Sequence, residues 1–115
     1  MKLTELEARF IKLTGEGGNF RDDAAFADCD GVMFLCPACF AANGGPIGTH
    51  VVICWKPHVP QTISPRPGRW NQGGSGVHDL TLHAGSSSIW LQGGCGWHGF
   101  VGNGGVPPGE AASIP

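Results

Sequence analysis

A chain of 115 residues has room for one domain and one modest core. Gly (20) and Pro (9) make up about a quarter of it, yet the 41% hydrophobic content, with four Trp and six Phe, argues for a packed, loop-rich domain rather than disorder. With 14% charged residues and a net charge of -2, the composition excludes an overall electrostatic case for nucleic acid or an anionic membrane surface.

The first predicted element is a short N-terminal helix. Thr4 and Glu7 have capping-box spacing, and Leu3, Leu6, Phe10 and Leu13 recur at roughly helical intervals until Gly15, Gly17 and Gly18. Its apolar stripe reads as core, or as the surface of an isologous dimer. Asp22, Asp23, Asp28 and Asp30 follow in an acidic loop, as solvated turn and cap residues without the spacing of a calcium loop. Residues 32–35 form a short apolar strand that runs into Cys36-Pro37-Ala38-Cys39, and 40–46 reads as a turn. Residues 49–55 alternate as a strand, with Val51, Ile53 and Trp55 on one face and His50, Val52 and Cys54 on the other, which makes Cys54 a small core residue.

From 55 to 70 the chain carries four prolines and three positive charges with no acid. Trp55, Lys56, Arg66, Arg69 and Trp70 are therefore candidate binding residues for a phosphate, a base or a protein partner. The plainer reading is a proline-stiffened loop whose tryptophans anchor its ends. Residues 71–76 suggest a Gly/Ser turn, and 78–83 with 87–91 a hairpin. Gly93 and Gly94 lead into Cys95-Gly96-Trp97-His98, followed by a last short strand and turn up to 104. The expectation is one domain over 1–105, with the helix and acidic loop in 1–30, and a mobile tail over 106–115.

The two Cys-containing hooks carry the chemistry. Two residues between ligands let a tight turn present both side chains to one ion, and Cys36, Cys39, Cys95 and His98 complete a tetrahedral Cys3His set, the pattern of a structural zinc. Cys29 lies seven residues before Cys36 without a hook of its own. Iron is the alternative metal, but a Rieske cluster needs a histidine where Cys39 stands, and an iron-thiolate site needs four cysteines. Five cysteines, an odd number, behind an N-terminus without a signal peptide point to a reducing cytosol rather than a disulfide framework. No apolar run is long enough to span a bilayer, so no membrane association is expected.

An open metal position would make His50, His58, His78, His83 or Asp79 candidate bases for a hydrolase- or deaminase-like enzyme. The chain has no His-x-Glu hook, Gly-x-Ser-x-Gly elbow or P-loop, so the enzyme reading ranks second. A nucleic-acid-binding zinc ribbon ranks third, carried only by the local charge of the 55–70 loop.

Residues 31–40, Gly48-Thr49-His50, Pro67-Gly68-Arg69-Trp70 and the closing run from Cys95 to Gly104 resemble a family of small bacteriophage- and prophage-encoded proteins of unknown function. The family's usual form has a polar residue before the final histidine, where this chain has Trp97. The resemblance implies a viral origin and a metal-binding core, and adds no activity. The expected molecule is thus a mostly β, small α+β domain with antiparallel strands stapled by a zinc-ribbon-like site. It would act as an accessory or virion-associated module on a phage structural or host protein, in the host bacterial cytoplasm or on the virion, with a homo-oligomer compatible.

Overall fold

The computed structural model describes residues 1–15, 17–65, 68–83, 89–90 and 97–106, with Trp90 and His98 described in their backbone only. Its centre is a four-stranded antiparallel sheet in the order β2-β1-β3-β4, built from β1 (Arg9–Leu13), β2 (Phe20–Arg21), β3 (Gly31–Leu35) and β4 (Val51–Trp55). Two smaller antiparallel pairs accompany it. β5 (Asn71–Gly73) pairs with β6 (Thr81–His83), and β7 (Ile89–Trp90) with β8 (His98–Gly99). Among the described residues there is one α-helix, α1 (Pro37–Asn43). The molecule is therefore mostly β with one helix.

That helix is not at the N-terminus, which corrects the reading of the first fourteen residues. The chain makes one tight turn, in which the Ala8 N–H reaches back to the Leu3 carbonyl at 3.2 Å, and Glu7 adopts a left-handed φ of 54°. This six-to-one bond around a left-handed residue is how helices stop, so the helical start ends after a single turn. Arg9 to Leu13 then pair with β3 on one side and β2 on the other. The expected stripe is split between two cores. Leu3, Leu6 and Phe10 are buried in one, while Leu13, partly buried, packs against the other.

Strand alternation explains the two cores. Phe10, Val32, Phe34, Val52 and Cys54 face a large cluster that also takes Leu80, Leu82, Ile89, Trp97, Val101 and Val106. Ile11 and Trp55 point the other way, where Val59 and Ile63 from the loop after β4 cover them. Gly31 allows the sheet to close there, since a side chain at this position would run into the Cys54 carbonyl and the Trp55 ring.

The hairpin expected from 78–83 and 87–91 falls partly outside the described residues, which omit 84–88 and 91; the described parts of it take part in the following pairings. Residues 77–79 form a short 3-10 turn and β6 pairs with 71–73, the stretch expected as a turn. The Asp79 carboxylate accepts the Ser75 N–H, the Ser75 hydroxyl and the Gly76 N–H at 2.8, 2.8 and 2.9 Å, which draws that connection tight and lowers the carboxyl pKa. At the end of the described chain, Met1 and Val106 exchange hydrogen bonds of 2.7 and 2.8 Å. Val106 is thus part of the domain rather than of the tail, and residues 107–115 lie outside the described residues.

Candidate metal centre

The β3–β4 ladder delivers the site. Its register runs from Gly31 opposite Trp55 to Leu35 opposite Val51, and the Cys36 N–H donates to the His50 carbonyl at 2.9 Å, one step further along the same register. Residues directly opposite in an antiparallel pair project to the same face. Cys36 and His50 therefore continue the pairs Val32/Cys54 and Phe34/Val52 on the side of the large core.

Helix α1 supplies the third donor. Cys36 is its N-cap, Pro37 fills the first helical position, where its missing N–H costs nothing, and Cys39 comes three residues after the cap. Side chains three apart are neighbours on a helical turn. At the other end Gly44 takes a left-handed φ of 69° and turns the chain back. The Thr49 N–H then donates to the Pro46 carbonyl at 3.0 Å and its hydroxyl to the Gly45 carbonyl at 2.8 Å, which sets the 44–49 loop and brings His50 to the ladder.

One sulfur or nitrogen atom from each of Cys36, Cys39 and His50 lies within 4.8 Å of the others. Donors bound tetrahedrally at about 2.0–2.3 Å from an ion stand roughly 3.3–3.8 Å apart, which a spacing within 4.8 Å can accommodate. Cys36 is fully buried, Cys39 half-buried and His50 exposed, so the cluster opens from the core toward solvent. Two thiols and an imidazole are a zinc-type donor set. The cluster can hold a metal ion.

Of the four expected ligands the structure brings Cys36 and Cys39 together. Cys95 lies outside the described residues, and His98 is placed by its backbone alone, opposite Trp90. The cluster member missed from sequence is His50, read there as a strand residue. What places it is the pairing register, which sets the residue before β4 against the residue after β3 and is not written in either strand alone.

The other two described cysteines have no part in the cluster. The Cys29 thiol has two alternative acceptors, the Phe26 carbonyl at 3.2 Å and Gln72 Oε1 at 3.1 Å, and burial pushes its pKa up against the opposing pull of Lys56. Cys54 is a core residue as expected, its thiol pKa raised by complete burial. Both are held as neutral thiols.

The 55–70 loop is fastened down. All five N–H donors of Arg69 are committed, to the carbonyls of Val59, Pro60, Ile63, Pro65 and Gly68 at 2.6–3.0 Å. Trp55 is 1% exposed and its indole N–H donates to the Ser64 carbonyl at 2.8 Å. Lys56 Nζ lies 3.4 Å from the Cys29 carbonyl, Trp70 is half-buried against the large core, and Arg66 lies outside the described residues. Trp55 and Arg69 thus act within the loop as anchor and clasp.

Two cavities of about 490 and 460 Å³ are lined by Met1, Lys2, Glu5, Phe100 and Val106 in one case and by Leu13, Pro60, Thr62 and Ile63 in the other. None of Cys36, Cys39 and His50 lines either of them. No described helix is long and apolar enough to cross a membrane. No family model, curated protein or solved structure matches the chain.

Proposed function

We propose that this is a small zinc protein whose centre is structural, and that it works as an interaction module without chemistry of its own. The observation that carries the reading is the Cys36, Cys39 and His50 cluster, assembled by a contiguous strand-helix-loop-strand segment. A metal there would tie the start of α1 and the end of the 44–49 loop to the sheet. A closed zinc site needs a fourth donor, and the second hook offers Cys95 or His98. In support, the Phe34 and Trp97 rings meet edge to face at 6.2 Å, which sets the neighbour of His98 beside the strand that leads to Cys36.

The resemblance to phage and prophage proteins supports an accessory or virion-associated role on a phage or host protein, in the host bacterial cytoplasm or on the particle. Nucleic acid is the weaker partner class, because Arg69 spends its donors inside the loop.

The test is metal analysis of protein purified without added metal, combined with single substitutions. One zinc per chain is expected, with loss of metal in Cys36→Ser, Cys39→Ser and His50→Ala. His50→Ala should weaken zinc by at least the roughly 10–100-fold that even an outer-shell partner is worth. Loss in Cys95→Ser or His98→Ala alone identifies the fourth donor. A reduced, folded chain that takes up no zinc ends the proposal.

A further inference from the structure

We infer that the centre is also a redox switch, in which hydrogen peroxide joins Cys36 to Cys39 as a disulfide and thereby releases the metal. The inference rests on the zinc reading above and adds a regulation to it. Among the described cysteines only these two share a cluster; Cys29 and Cys54 are buried away from it, Cys29 against Gln72 and Cys54 inside the sheet core.

The geometry suits closure. One sulfur sits at the N-cap and the other three residues on, in the first turn of α1, with the sulfur atoms within 4.8 Å. A disulfide needs Cβ atoms about 3.5–4.5 Å apart, which a Cys-x-x-Cys pair at a helix start reaches with little backbone movement. Exposure sets the order of events. Cys39 is partly open to solvent and Cys36 is sealed in the core, so Cys39 meets the oxidant and Cys36 resolves.

The Cys39 thiolate attacks one peroxide oxygen, the O–O bond breaks, and hydroxide leaves and is protonated to water, which gives a sulfenic acid. The Cys36 thiolate then attacks the Cys39 sulfur, the S–S bond forms, the S–O bond breaks, and a second hydroxide leaves as water after taking up a proton. Two thiolates are oxidised by two electrons, one peroxide is reduced to two waters, and two protons are consumed. The site loses both thiolate donors at once. His50 is then the one described ligand left, too few to retain zinc.

The experiment uses the full, reduced chain loaded with zinc and titrated with hydrogen peroxide. Zinc release is read with a coloured chelator, thiols are counted, and the cross-link is located by mass spectrometry. The inference expects two thiols lost for each zinc released, a mass loss of two hydrogens placed between Cys36 and Cys39, and recovery of zinc binding after a dithiol reductant. It is overturned if zinc stays bound through peroxide treatment, if Cys39 gains oxygen without forming a disulfide, or if the cross-link runs to Cys29, Cys54 or Cys95. A reduced chain that never binds zinc overturns the metal reading itself, an outcome distinct from these three because it appears before any oxidant is added.

Discussion

Asp30 and Arg69 each fasten backbone with a single side chain. The Asp30 carboxylate accepts the Leu13 N–H at 2.8 Å and pairs with His58 Nε2 at 2.7 Å. Partial burial raises its pKa, but the bond from His58, the Leu13 N–H and the nearby Lys12 outweigh it, and the net shift is downward from 3.8. A depressed carboxyl stabilises the fold fully above its unfolded value and loses that contribution as pH falls through its folded one. Asp30→Asn should therefore cost about 1–3 kcal/mol at neutral pH, with the gap to the parent shrinking below a pH of about 4. Urea titrations at stepped pH check this, and a constant gap would contradict it. Arg69→Ala leaves five loop carbonyls without their donor and should cost about 1.5–3 kcal/mol in the same assay, with Arg69→Lys restoring only part because an ammonium cannot reproduce the planar fork. At this scale the sequence was informative about residue type and poor about role. Cys36, Cys39 and the buried Cys54 were legible from spacing and alternation. The clasp made by Arg69 was not, because a guanidinium looks the same in sequence whether it faces solvent or its own loop.

Strands were easier to read than their partners. The apolar runs of β3 and β4 stand out, whereas the register that sets His50 against Cys36 is a long-range property no local pattern contains. The N-terminal segment shows the opposite failure. Leu3, Leu6, Phe10 and Leu13 do recur at helical spacing, but a left-handed Glu7 and two flanking strands outweigh that local preference. Helix α1 was hidden for a different reason. Its seven residues are too short for a periodic pattern, and it is defined by Pro37 at its start and Gly44 at its end. Gly31 tests the sheet geometry directly. A Cβ there would lie 2.7 Å from the Cys54 carbonyl oxygen and 2.9 Å from Trp55 Cε3, so Gly31→Ala should destabilise by about 1–3 kcal/mol, as overpacking does, measured by thermal or urea unfolding. A neutral result would mean that β3 and β4 stand further apart than described.

For the molecule as a whole, a metal bound at the Cys36, Cys39 and His50 cluster would act as a ligand of the folded state. Zinc at 100 times its dissociation constant adds about 2.7 kcal/mol, so a strong chelator should lower the melting temperature by on the order of 10 °C, read by calorimetry with and without added zinc. An unchanged melt on a zinc-loaded sample would place the ion outside the folding equilibrium. The β class was legible from the short apolar and alternating runs at 32–35 and 49–55, and the radius of gyration is 13.2 Å. The meeting of Met1 with Val106 was not legible, since nothing local in either announces the other. The two residues are hydrogen-bonded to each other, and Lys2 bridges to Gly105 and Leu3 to Gly104 beside them. The order in which the elements are connected is therefore separable from their arrangement. A circular permutant that omits residues 107–115, joins Val106 to Met1 through a short Gly/Ser linker and opens between Gly17 and Gly18, at the tip joining β1 to β2, should fold and bind zinc with the stoichiometry of the parent, because the segment 36–50 passes through the rearrangement uncut.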